Sequence, residues 1–356
     1  MKKDGVSTIR IAATYIGTIV GAGFATGQEI LQFFSVFAVK GLLGLVFCSI
    51  MFIFFGYIIM RLGKQLHTRS HMKIIRYSGG RIIGTIVDII ITFFLFGALT
   101  AMVAGTGALF HQEFGLPEIL GSILMAVLTL VTVLTGINGV IKSISFVVPF
   151  LLLAVIGTSI YSIVTAPPDL TATVSAVGES ELITNWFLAA VLYVSYNTII
   201  SIAVLGPLGV QARSIKSIRN GAILGGIGLG IGSIMIYLAL AGHLESISNL
   251  EVPMIYIAGG ISYPVKFIYT IVLIAEIYTT AVGSLYGFTA RISETGRFNG
   301  KWVIIVISAI ALVASLFGFS NLVKYLYPAV GYGGIILLIS LLYMEIKHKF
   351  FPKPKL

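Results

Sequence analysis

Tyr15-Ile-Gly17-Thr-Ile-Val20-Gly21-Ala22-Gly23-Phe-Ala-Thr26-Gly27-Gln28-Glu29 sits near the middle of an apolar run from Thr8 to Phe37, with four glycines between positions 17 and 27. Each glycine costs about 1 kcal/mol in a helix interior, so a helix built from this stretch unwinds cheaply at its centre. Unwound backbone survives in a membrane only where protein buries it or where it lines a wet cavity. Freed N–H groups at Gly21, Ala22, Gly23 and Gly27, with the Thr26 hydroxyl beside them, offer a seat for a carboxylate at the start of an outer half-helix. Freed carbonyls at Gly17 and Val20, closing the inner half-helix, suit a cation. Close helix packing competes with this reading, because Gly17/Gly21 and Gly23/Gly27 are both small-xxx-small pairs. A nucleotide phosphate loop is excluded, since no strand precedes Gly21-Ala-Gly23.

Outward from this stretch the chain stays apolar. Of 356 residues, 57% are hydrophobic and 10% charged, against roughly 25% charged in soluble chains, and the mean hydropathy is +1.03. This is the composition of an all-α integral membrane protein. A span needs about 20 apolar residues, and ten segments qualify: Thr8 to Phe37, Gly41 to Leu62, Ile82 to Phe110, Pro117 to Thr135, Ser143 to Thr165, Asn185 to Gly206, Asn220 to Gly242, Pro264 to Thr289, Lys301 to Phe319 and Leu322 to Glu345. The first is too long for the apolar core of a secretory leader. With the N-terminus inside, only Lys40, Lys266 and Lys324 of the 23 lysines and arginines fall outside. That bias tests the span count independently and predicts a multi-pass protein of the cytoplasmic membrane with both termini inside. The basic stretch Gly63 to Arg81 is expected to lie against anionic headgroups. Two long outer connections, Ala166 to Thr184 and His243 to Tyr263, are candidate lids. The glycine run Gly221 to Ser233 has no charged neighbour and reads as helix packing.

Three carboxylates fall within spans: Glu29, Asp88 and Glu276. Each costs roughly 2.5–3.5 kcal/mol to insert, and such groups usually mark ion or solute pathways. Asp88 is close enough to the inner surface to pair with Arg81 or another base there. Glu276 shares one helix face with Thr279, Thr280 and Gly283; it is either a protonatable coupling group or a satisfied structural carboxylate. Glu29 either meets a solute amine or pairs near the outer mouth. The single cysteine, Cys48, excludes an internal disulfide, and the five histidines lie in loops or at span ends without other ligands nearby, so no resident metal site is expected. No nucleophile has a basic partner at a convincing spacing, so the chain is not expected to be an enzyme. The basic residues lie between apolar runs, which argues against nucleic acid as a partner.

The segment GTIVGAGFATGQE resembles the first-helix signature of the amino acid, polyamine and organocation transporter superfamily. The whole chain resembles its amino acid permease family of YkvI-like membrane proteins. The resemblance implies the LeuT-type fold: one transmembrane domain over 1–356, built of two inverted repeats of five spans (about 8–165 and 185–345), with the first and sixth helices broken at the substrate. The sixth span holds Ser195, Tyr196 and Asn197 at its middle, as candidate substrate contacts or as interhelical hydrogen-bonding groups. It departs from the pattern in having no glycine within that cluster. The resemblance also implies a cation site made by first-span carbonyls, here Gly17 and Val20, and by two adjacent hydroxyls, here Thr279 and Thr280. The expected function is ion-coupled transport of a small zwitterion, most simply an amino acid, with sodium or a proton as coupling ion and no other cofactor. A sensor that keeps this architecture without transporting is the alternative.

Overall fold

The computed structural model describes residues 5–68, 71–135, 137–171, 181–294 and 300–350, without the side chains of 137–149, 293–294, 300 and 348–350. These residues are helical almost throughout, as apolar segments must be when no water is available to satisfy their backbone. The first predicted span is three pieces: α1 (Thr8–Ile19), α2 (Ala22–Thr26) and α3 (Gln28–Phe33). Then come α4 (Val39–Gln65), α5 (His71–Phe114), α6 (Glu118–Leu134), α7 (Ile137–Thr165), α8 (Trp186–Gln211) and α9 (Ile215–Ala241). Two short helices, α10 (Leu244–Ile247) and α11 (Pro253–Ile261), lead into α12 (Tyr263–Glu294) and α13 (Gly300–Ala314). A π-helical turn at Leu322–Leu326 joins α14 (Phe319–Asn321) to α15 (Tyr327–Phe350).

Among the described residues, six helices are long and apolar enough to cross a membrane, and Glu118–Leu134, Phe150–Thr165 and Lys301–Phe317 are shorter apolar helices. The chain is a multi-pass membrane protein. Gly80, at φ 77°, kinks α5 at the end of the basic stretch, just before the predicted third span.

Small residues set the helix spacing. A Cβ on Gly221, Gly225 or Gly228 of α9 would meet Ile11, Tyr15 or Ile16 of α1, so the glycine run is a packing surface, as expected. Tyr15 then reaches over to donate to the Phe52 carbonyl of α4 at 2.6 Å. α4 and α8 pack with similar closeness, Gly63 against Gly206 and Gly209 against Met60.

The two ends of the bundle are closed differently. At one end Val6 forms a parallel bridge with Ala212 beyond α8, and the Lys64 ammonium donates to the Ala212 carbonyl at 2.6 Å. The same end holds ion pairs between Arg61 and Glu345 and between Arg291 and Asp88, with His71 bonded to Arg291. Asp88 is thus paired with a base from the predicted inner surface, Arg291 rather than Arg81. At the opposite end Lys266 pairs with Glu113 at 2.8 Å, and Gln112 exchanges two hydrogen bonds with Val252. There α10 and α11 bury Leu244, Ile247, Met254 and Ile255 against the bundle, so the connection His243 to Tyr263 is a docked cap. The middle of the first predicted lid, 172–180, lies outside the described residues, as do Lys2, Lys3, Arg69, Arg297, Lys353 and Lys355.

One expectation is overturned. The sixth span, α8, is continuous from Trp186 to Gln211. With neither glycine nor proline between Tyr193 and Ser201, nothing lowers the cost of unwinding it. Two of its polar groups turn back on their own helix instead: Asn197 Nδ2 donates to the Tyr193 carbonyl at 2.9 Å and Thr198 to the Val194 carbonyl at 2.7 Å.

Candidate functional site

Helix α1 stops at Ile19 because Val20 (ψ 104°) and Gly21 (φ −119°, ψ −171°) are extended. No backbone hydrogen bond crosses this point: the carbonyls of Gly17, Thr18, Ile19 and Val20 receive no main-chain N–H, and those of Gly21, Ala22 and Gly23 find no carbonyl. A second interruption follows at Gly27, which is left-handed at φ 81°. The Thr26 hydroxyl bridges it, donating to the Gly23 carbonyl at 2.9 Å and accepting from the Gln28 N–H at 3.2 Å. Thr26 therefore holds the segment's own shape. Above the second break, a Cβ on Gly27 would press against Met254 and Pro253 of the cap.

Two carboxylates flank the first break. Glu29, on α3, is 6% exposed and folds back so that its side chain fills the space where a Cβ on Gly23 would be. The space beside Gly23, where a solute carboxylate was expected, thus holds the protein's own carboxylate, and α2, at five residues, has little dipole of its own. Tyr193, Tyr196 and Tyr327 stand near enough to feel the Glu29 charge, yet Glu29 Oε2 and the Tyr196 hydroxyl are buried without a hydrogen-bond partner.

Glu276, on α12, is 3% exposed, and its Oε2 is likewise unpartnered. The Thr280 hydroxyl stands beside its carboxylate, and Thr279 donates to the Glu276 carbonyl at 3.0 Å. A Cβ on Gly21 would touch only Thr280 Oγ1, at 3.8 Å, so the Thr280 hydroxyl faces the break. Tyr269 pins the two elements together by donating to the Ala25 carbonyl at 2.7 Å. The Thr280 hydroxyl and the Glu276 carboxylate thus lie together beside the break, and both are oxygen ligands of the kind a hard cation takes.

Among the described residues no ion pair includes Glu29 or Glu276, whereas Arg61–Glu345, His71–Asp88, Lys266–Glu113 and Arg291–Asp88 are paired. Two buried carboxylates without a basic partner need a bound cation or a proton.

Of the sixth-span candidates, Ser195 donates to the Gly331 carbonyl of α15 at 2.6 Å, a tie between helices. Asn197 is turned onto its own helix. Only Tyr196 faces the site. Sequence reasoning missed the rings around it: Phe33, Tyr193, Phe94 and Tyr327, with Tyr196 centred 5.8 Å from Phe33, 5.5 Å from Tyr193, 5.9 Å from Phe94 and 5.1 Å from Tyr327. The i, i+3 spacing of Tyr193 and Tyr196 places both on one face of α8 and was the available signal. Nothing in the linear pattern brings Tyr327 to them.

A broken first helix, carboxylates without a basic partner beside the break and a capped end belong to a helical membrane fold shared with solved transporters. Solved structures with this fold include MhsT in complex with L-phenylalanine (16% identity, 97% of this chain and 93% of that one, TM-score 0.66). A Na+-coupled sialic acid symporter matches at 12% identity over 98% and 91% (TM-score 0.65), and inward-facing Mhp1 at 14% over 98% and 81% (TM-score 0.64). These neighbours are transporters, not enzymes. By sequence the chain is 29% identical to the uncharacterized membrane protein YkvI of Bacillus subtilis (strain 168), over 96% of this chain and 97% of that protein. It is also 29% identical to the uncharacterized protein YyaD of the same organism, over 94% and 96%. No family model matches the chain.

Proposed function

We propose that this protein is a secondary active transporter of a small organic solute, an amino acid or similar zwitterion, working by ion-coupled alternating access. The observation that carries the reading is the double interruption of the first span, with Glu29 on one side and Glu276 on the other, each buried with one carboxylate oxygen unpartnered. In this reading ten spans form two five-span repeats, about 8–165 and 185–345, with both termini in the cytoplasm. The solute sits at Gly21, Ala22, Gly23, Glu29 and Tyr196. The coupling ion sits at the Gly17 and Val20 carbonyls with Glu276, Thr279 and Thr280. Sodium is favoured as the ion, because the oxygen set includes two hydroxyls and two freed carbonyls besides the carboxylate, and one solved neighbour is a Na+-coupled symporter. The continuous α8 leaves the first span as the element whose freed backbone meets solute and ion.

The test is uptake of labelled amino acids into proteoliposomes under an imposed sodium or proton gradient. Gradient-driven accumulation is expected. Removing the charge with Glu276→Gln forfeits a charge-assisted contact of about 1.5–3 kcal/mol, so half-saturation by the coupling ion should rise about 10- to 100-fold. Binding without flux, under every gradient, would turn the reading to a sensor.

A further inference from the structure

Beyond the transport reading, and away from both sites assigned there, we infer that Glu251, Glu118, Gln28 and Ser320 form a site for a hard divalent cation such as calcium, which clasps the cap to the first and tenth predicted spans.

The elements meet at one serine. Glu251, between α10 and α11, reaches the start of α14, where one of its carboxylate oxygens accepts from the Ser320 N–H at 3.4 Å. Its other oxygen, Oε2, is buried without a hydrogen-bond partner. Gln28, on α3 just past the left-handed Gly27, is 1% exposed and brings its amide to the same serine, Nε2 donating to the Ser320 hydroxyl at 2.9 Å. Its Oε1 is likewise buried without a partner. Two idle acceptors from different elements therefore flank the Ser320 hydroxyl oxygen, and acceptors do not satisfy one another. Among the described residues no ion pair includes Glu251. The backbone that carries it is fixed, because the next residue, Val252, exchanges two hydrogen bonds with Gln112 of α5.

Charge selects the occupant. Burial is the main cause that raises the Glu251 carboxyl, and the negative charge of Glu118, in the first turn of α6, adds to it, so a second carboxylate stands close by. Glu118 is exposed, which gives an ion a way in from solution and water to complete its shell. Two carboxylates, an amide oxygen and a hydroxyl are oxygen ligands without nitrogen or sulfur, the set a hard cation takes, and two negative charges match a divalent one.

The experiment reads thermal unfolding of the detergent-purified full chain, stripped with chelator and held at constant ionic strength, with calcium chloride added alone. With an affinity of about 0.1–1 mM, ordinary for extracellular sites, about 10 mM calcium should raise the unfolding temperature by at least about 2 °C. Equilibrium dialysis with radioactive calcium should find one ion per chain. Glu251→Gln should weaken calcium at least about tenfold. Glu118→Gln, at an exposed position, should weaken it several-fold and keeps the test open if the Glu251 variant does not fold. Glu276→Gln should leave the calcium response at its wild-type value, which separates this site from that of the coupling ion. No calcium bound by the wild type, either of the Glu251 and Glu118 variants binding calcium undiminished, or a response lost with Glu276→Gln alone would each overturn the inference. Gradient-driven uptake stands or falls separately, since none of these readouts involves flux.

Discussion

At the scale of single residues, the site is made by glycines that do different work. Gly21 is extended and open, with only the Thr280 hydroxyl near its absent Cβ. Gly23 makes room for Glu29, and Gly27 supplies a left-handed turn that L side chains adopt at a cost of about 1–2 kcal/mol. Gly27→Ala adds to that cost a contact 2.8 Å from Met254 Cγ of the cap. The expected loss is about 2–4 kcal/mol, strain and overpacking together, read as a lowered unfolding temperature of the purified protein. A variant as stable as the wild type would mean that the cap does not press on the break.

At the scale of elements, the cap and the start of the tenth predicted span meet at Glu251. One of its carboxylate oxygens accepts from the Ser320 N–H at 3.4 Å, and the Ser320 hydroxyl accepts from Gln28 Nε2 at 2.9 Å. The cap, α14 and α3 are therefore linked through one serine. Burial pushes the Glu251 carboxyl above its ordinary range, against the opposing effect of the Ser320 and Phe319 N–H groups. A carboxyl whose folded-state pKa is raised contributes stability that is present below the unfolded-state value and lost as pH rises through the folded-state value. The unfolding temperature should therefore rise as pH is lowered through that window, and Glu251→Gln should flatten the rise. Parallel pH profiles for the two proteins would exclude Glu251 as the group responsible.

At the scale of the whole molecule, the two ends carry different chemistry. Ion pairs Arg61–Glu345 and Arg291–Asp88 and the Val6–Ala212 bridge close one end, while α10 and α11 close the other. Glu345 and Val6 lie at the first of these ends, so both terminal segments approach the same surface. The single cysteine is buried, its thiol facing the Ala190 carbonyl, so Cys48→Ala provides a silent background for labelling. A thiol introduced by Tyr263→Cys, at a residue 78% exposed, should react in intact cells with a membrane-impermeant reagent. One introduced by Lys347→Cys should react only after permeabilisation. The opposite pattern would invert the proposed orientation.

What the linear sequence determined by itself is what local chemistry controls. Hydropathy and length place helices in the predicted segments, because backbone in hydrocarbon must satisfy its own hydrogen bonds. The glycines from Gly17 to Gly27 placed the interruption to within a residue or two, because unwinding cost is a property of the residue type. The same rule applied to α8 pointed to an intact helix, and the resemblance that implied a break there was the weaker guide. The tertiary structure alone decided what fills the break. Glu29 turning onto Gly23, the Thr280 hydroxyl facing Gly21, and Tyr327 joining Tyr196 after the π-helical turn all join residues that local periodicity does not relate. Whether a buried carboxylate is paired depends on which chains of side chains reach it through space. Asp88 has Arg291 and Glu29 has no base, a difference set by packing.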